Sequence, residues 1–173
     1  MEQKVTSTII MGVVISLILI VIDIVAHLTN IIFDTWFKWI PTLLLCIAII
    51  IAVIMYGKQM NNNVTFGNLF AHGFKVSATV ACFLFVFAII SVYLLFPDFV
   101  NQVVDKAMDE ARKQGKMSED QIQQGLPLVR KITSIGLLVG SVIGTLIVGA
   151  IAALIGAAVA KKNPQSALEN QFK

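Results

Sequence analysis

Four long apolar stretches, separated by polar breaks, dominate the chain. Runs without a charged residue extend from Val5 to Ile22, Trp39 to Gly57, Val76 to Pro97 and Ile132 to Ala160. A helix rising about 1.5 Å per residue needs roughly 20 apolar residues to cross a hydrocarbon layer about 30 Å thick. Each run meets that length. At membrane depth the backbone has no water to bond, so a spanning segment satisfies its own N–H and C=O groups as a helix. The alternating apolar and polar residues of a β-barrel strand are absent from all four runs. With their polar flanks, the runs predict spans over about 7–33, 39–57, 67–96 and 132–160. The predicted fold is an all-α membrane protein, four transmembrane helices in an antiparallel bundle, forming one membrane domain over 1–173.

The breaks differ in size. Asp34 to Lys38 makes a tight helical hairpin, with Pro41 in the first turn of span two, where its missing N–H costs little. Lys58 to Phe66 carries Asn61, Asn62 and Asn63, which favour a turn. Asp98 to Lys131 is long enough to fold. Its residues Phe99, Val100, Val103, Val104, Ala107, Met108 and Ala111 make one stripe at helical spacing, with charges opposite. Ser118 with Gln121 fits a capping box that starts a second short helix, which Gly125 and Pro127 stop. An amphipathic extramembrane helical cap is therefore expected over 98–128, lying on the membrane surface or on the outer helix ends.

Composition agrees with this picture: 57% of the 173 residues are hydrophobic and 13% charged, where soluble domains carry about a quarter charged residues. The first run is longer than a signal-peptide core, and no small-x-small cleavage site follows it. It reads as an uncleaved anchor. Cys46 and Cys82 sit inside apolar runs and make neither a disulfide framework nor a metal site. A net charge of +3 without a basic block does not suggest nucleic acid. An even number of spans puts both termini on one side. Lys4, Lys58, Lys161 and Lys162 lie close to span ends on that side, which favours cytoplasmic termini.

Ionisable and polar residues within the spans are the first candidates for chemistry, because each is costly in hydrocarbon. Asp23 and His27 share a face of span one, which Ser16 extends inward and Asn30 and Asp34 extend outward. Asn68, His72, Lys75 and Thr79 share a face of span three. Together they invite a hydrophilic path or proton relay, with Lys75 neutralising Asp23. Depth weighs against that pairing. Asp23 falls in the outer third of its span and Lys75 in the inner half, so Asp23 and His27 approach outer water while Lys75 snorkels inward.

Span four has a different signature. Gly136, Gly140 and Gly144 form two overlapping GxxxG units. Ser141, Thr145, Gly149, Ala153, Gly156 and Ala160 make a second small-residue stripe on nearly the opposite face. Small residues allow the close backbone approach that drives helix association in lipid. Such a helix can pack between two neighbours, one in the chain and one in a second copy.

No zinc-protease, CxxC, phosphate-loop or nucleophile-elbow motif is present, and no enzyme is expected. No cofactor and no metal is expected either. Thr65-Phe66-Gly67, Gly73-Phe74-Lys75, Phe96-Pro97-Asp98-Phe99, the run Lys116 to Ile122 and the Gly-rich last span ending in Lys161-Lys162 resemble the domain of unknown function 4199. His72 departs from that pattern. The resemblance implies a small four-helix protein of the bacterial inner membrane, found mainly in Bacteroidetes-type bacteria, and it carries over no catalytic residues. The expected role is that of a structural or interacting membrane component, with the lipid bilayer and a homo-oligomer through helix 4 as its partners. The alternatives are a small transporter or channel around Asp23 and Lys75, and an envelope sensor whose cap binds a ligand or partner.

Overall fold

The computed structural model describes residues 6–113 and 119–160, the side chains of 119–124 excepted. Ser118 therefore lies outside the described residues, as do Glu2, Lys4, Lys161, Lys162, Glu169 and Lys173. Most of the described residues are helical and none forms a strand: α1 (Thr8–Leu28), α2 (Trp39–Gln59), α3 (Phe66–Ile90), α4 (Phe99–Lys113) and α5 (Glu119–Val159). Four stretches are long and apolar enough to cross a membrane, namely Thr8–Leu28, Trp39–Gln59, Phe66–Leu95 and Gly125–Val159.

Local chemistry sets the helix ends. Ser7 caps α1, its hydroxyl accepting from the Ile9 N–H. The expected first span is shortened: α1 ends at Leu28, because Asn30 takes a left-handed conformation (φ 58°) that asparagine tolerates. A single 3-10 turn, Ile31–Phe33, follows. At the end of α2, Asn61 and Asn62 are both left-handed, and the Asn62 N–H reaches back to the Gly57 carbonyl at 2.8 Å. That six-residue closure, with the Met60 N–H at 3.2 Å on the same carbonyl, caps the end of the helix.

Span three ends in a wide turn that the sequence pattern does not reveal. Ser91–Leu95 is π-helical, and the Phe96 N–H donates to the Ser91 carbonyl at 2.7 Å. Pro97 explains the stop, since the residue before a proline is turned away from helical geometry. Phe96 is, at φ −133°.

The expected stop at Gly125 and Pro127 does not occur. Both lie within α5, a single helix of 41 residues that runs on into the fourth span. Pro127 loses one intrahelical bond, a cost of about 3 kcal/mol in a helix interior. Packing offsets it, because Leu126 and Val129 on either side pack against α4.

The chain groups into two compact units. One comprises residues 85–142, where Val100, Val104 and Met108 of α4 are buried together with Val92, and Leu126, Val129 and Leu137 of α5 pack against them. The apolar stripe of the cap is thus spent on the protein's own helices. Its opposite face, with Asp105, Lys106, Asp109 and Glu110, is exposed.

The other unit comprises α1, α2, the first part of α3 through Leu84 and the last part of α5 from Ile143. Its core is built from Ile15, Leu19, Leu45, Ile49, Val53, Leu69, Val76 and Val80, with Ala152, Ala153 and Ala157. Neighbouring helices alternate in direction. The Thr6 N–H and hydroxyl bond the Gln59 amide at 3.0 and 2.9 Å, tying the start of α1 to the end of α2. Gly57 meets Leu69, and Gly73 meets Val53, so α2 and α3 are antiparallel. Gly73 also meets Ala153, while Ser77 meets Gly149, so α3 and α5 are antiparallel as well. Gly57 lies near Ala160, which puts Thr6 and Ala160 at the same end of this bundle.

Candidate functional site

On α1 the pair Asp23–His27 forms as its spacing predicts. His27 Nδ1 lies 2.9 Å from the Asp23 backbone carbonyl and 3.3 Å from its carboxylate, which sets the proton on Nδ1. The His27 side chain is 7% exposed and that of Asp23 38%. Ser16 is fully buried and donates to the Val13 carbonyl. The outward extension of this face fails, for Asn30 and Asp34 lie beyond the end of α1.

On α3, the four residues of the predicted stripe fall into different surroundings. Asn68 and Lys75 are exposed, and Thr79 donates to the Lys75 carbonyl. His72 is buried and its ring stacks on Tyr56 of α2, with centroids 4.0 Å apart and planes 9° from parallel. Its Nε2 has no hydrogen-bond partner among the described residues.

The two stripes do not meet. Gly12 on α1 touches α3, where a Cβ would sit 2.6 Å from the Thr79 Cβ and 3.3 Å from the Val76 carbonyl oxygen. Asp23 lies eleven residues beyond Gly12, about 16 Å along α1. Lys75 lies one to four residues before that contact on α3, on the opposite side of it. Because α1 and α3 run in the same direction, the displacements add to roughly 20 Å. Lysine cannot span that, so Lys75 does not neutralise Asp23. Nor does any group of three His, Cys, Asp or Glu side chains among the described residues have metal-binding geometry.

The two glycine stripes of α5 differ in what they meet. On one, a Cβ at Gly149 would strike Ser77, and at Gly156 it would come within 3.0 Å of Val53. Thr145 and Ala153 are buried on that face too, and Ser141 is half-buried. On the other, Gly136, Gly140 and Gly144 are exposed, and a Cβ on any of them meets nothing within 4 Å among the described residues. Ile135, Val139 and Ile143, each preceding one of these glycines, are about half exposed.

Sequence reasoning missed the partner of the inward stripe. Gly73, Ser77 and Ala81 recur every four residues on α3, all buried, and the first two receive Ala153 and Gly149. That small-residue spacing was readable, but Ser77 and Ala81 look unremarkable within an apolar run. The Tyr56–His72 stack had no signal, since it joins residues on different helices.

Four apolar helices of spanning length, with two of them and parts of the other two closed into one bundle, define an integral membrane protein of the multi-pass class. The chain belongs to the family described as protein of unknown function (DUF4199), whose model matches residues 6–162. No curated protein and no solved structure matches it.

Proposed function

We propose that this chain is a non-enzymatic component of the bacterial inner membrane, with both termini in the cytoplasm, that acts by associating with a second copy of itself along α5. The observation carrying this reading is the contrast between the two faces of that helix. Gly149 and Gly156 are consumed within the chain, whereas a Cβ on Gly136, Gly140 or Gly144 would meet nothing within 4 Å among the described residues. In lipid the hydrophobic effect does not drive helices together, so close packing and interhelical contacts must. A glycine groove edged by Ile135, Val139 and Ile143 suits such packing, because β-branched side chains lose little rotamer freedom in a helix.

A cysteine at Gly140 in a background lacking Cys46 and Cys82 tests the reading in native membranes. Oxidation should give a disulfide-linked dimer, while a cysteine at Gly149 should give none. Failure of Gly140 and Gly144 cysteines alike to crosslink would remove the dimer.

The separation of Asp23 from Lys75 leaves a transport path without its central pair. A sensing cap has only its charged face to offer, since Val100, Val104 and Met108 are already covered. The self-associating component is therefore the reading preferred.

A further inference from the structure

Both tryptophans of the chain lie at the tip of the α1–α2 hairpin, Trp36 in the connection and Trp39 as the first residue of α2. Hydrogen bonds three residues apart run through this tip. The Phe37 N–H donates to the Asp34 carbonyl, the Trp39 N–H to that of Trp36 and the Ile40 N–H to that of Phe37. In such turns residues three apart lie nearly one above the other, so the two indoles share a side. Phe37 takes another side: it is buried, whereas Trp36 is 59% and Trp39 65% exposed. Its ring meets that of Trp36 edge-on, with centroids 6.0 Å apart. The tip is thus pinned by Phe37, and both indoles are left uncovered by the chain.

The lengths of the flanking helices say what covers them. α1 and α2 have 21 residues each, about 31 Å at 1.5 Å per residue, which matches a hydrocarbon layer of about 30 Å. Their connection therefore falls where acyl chains give way to headgroups. The residues around the indoles grade in the same sense. Leu28 at the end of α1 is exposed and suits acyl chains, while Asp34, Thr35 and Lys38 are exposed and suit headgroups and water. An indole combines an apolar body with an N–H donor, the reason tryptophan collects at this depth. The opposite end of the hairpin has no such pair, for it holds no tryptophan and Tyr56 is stacked on His72.

We propose that Trp36 and Trp39 form an anchor in the lipid–water interface, in the leaflet opposite the end where Thr6 meets Gln59. The indole faces lie against the upper acyl chains, and their N–H groups donate to lipid ester or phosphate oxygens. The Lys38 ammonium, next in sequence to Trp39, extends to the phosphates on its flexible stem.

With no other tryptophan in the chain, intrinsic fluorescence reads this anchor alone. The full chain is reconstituted in vesicles of phosphatidylcholine brominated either near the carbonyl end or near the methyl end of its acyl chains. Iodide serves as the quencher from water. Wild type, Trp36→Phe and Trp39→Phe should each lose more emission to the shallow bromines than to the deep ones, and little to iodide. The two variants read the indoles one at a time, and both replace exposed side chains, leaving Phe37 in place. Strong quenching by iodide with none by bromine would put the tip in water and overturn the anchor. Stronger quenching by the deep bromines would overturn it by placing the indoles in the hydrocarbon. Protection from all three quenchers would mean that protein, a second copy included, covers the tip, and would overturn it as well.

Discussion

Single glycines decide which helices of this protein approach each other. Gly149 lies so close to Ser77 that a methyl group there must displace it, and Gly73 is held between Val53 and Ala153. Overpacking of this kind costs about 1–3 kcal/mol. Gly149→Val should therefore lower the thermal midpoint of the purified protein in detergent, whereas Gly140→Val should leave the monomer unchanged. Equal losses from both would contradict the assignment of faces. The asparagines at the helix ends act through backbone geometry instead. Asn62→Ala should destabilise the protein by about 1 kcal/mol, because an L-residue other than asparagine or glycine resists the left-handed conformation, while Asn62→Gly should not. Denaturant unfolding of the two variants side by side is the check.

The elements were largely legible in the sequence, and the reasons for the exceptions are instructive. Charge-free runs locate α1, α2, α3 and the membrane part of α5, because a bilayer demands length and apolarity and little else. The helical spacing from Phe99 to Ala111 predicts α4 correctly. Gly125 and Pro127 mislead, since propensity is a weak prior that tertiary packing overrides, here through Leu126 and Val129. The polar stripes mislead in another way. Spacing on one helix says which residues share a face, but not where that face sits against a neighbour. Only the Gly12–Thr79 contact fixes that register, and it sends Asp23 and Lys75 to different depths. The left-handed Asn30 likewise ends a face that spacing alone would extend. If α4 is held by its apolar stripe, then Met108→Ala, at about 2 kcal/mol, should expose it to trypsin at Lys106, Arg112 and Lys113. Cleavage there should quicken roughly thirty-fold, following the population of the open form. An unchanged rate would mean that the stripe contributes nothing to holding α4.

At the scale of the whole molecule, the family match gives membership without a mechanism, and the two faces of α5 divide its surface unequally. The inner stripe of α5 closes the chain on itself, and the outer stripe is the face proposed to meet a second copy. The start of α1 and the end of α2 lie together at one end of the bundle, where Ser7 and Lys58 are exposed, so cysteines introduced at Ser7 and at Lys58 should react with a membrane-impermeant maleimide from one and the same side of sealed vesicles. The proposed cytoplasmic placement of both termini predicts labelling only after permeabilisation in right-side-out vesicles, and labelling of intact vesicles would reverse it. Self-association itself is most directly tested by counting chains. Single fluorescently tagged molecules in native-membrane particles should bleach in two steps for the wild type and in one step for Gly140→Leu, which fills the open groove without touching the inner face. Single-step bleaching of the wild type, or two-step bleaching that survives the leucine, would contradict the account.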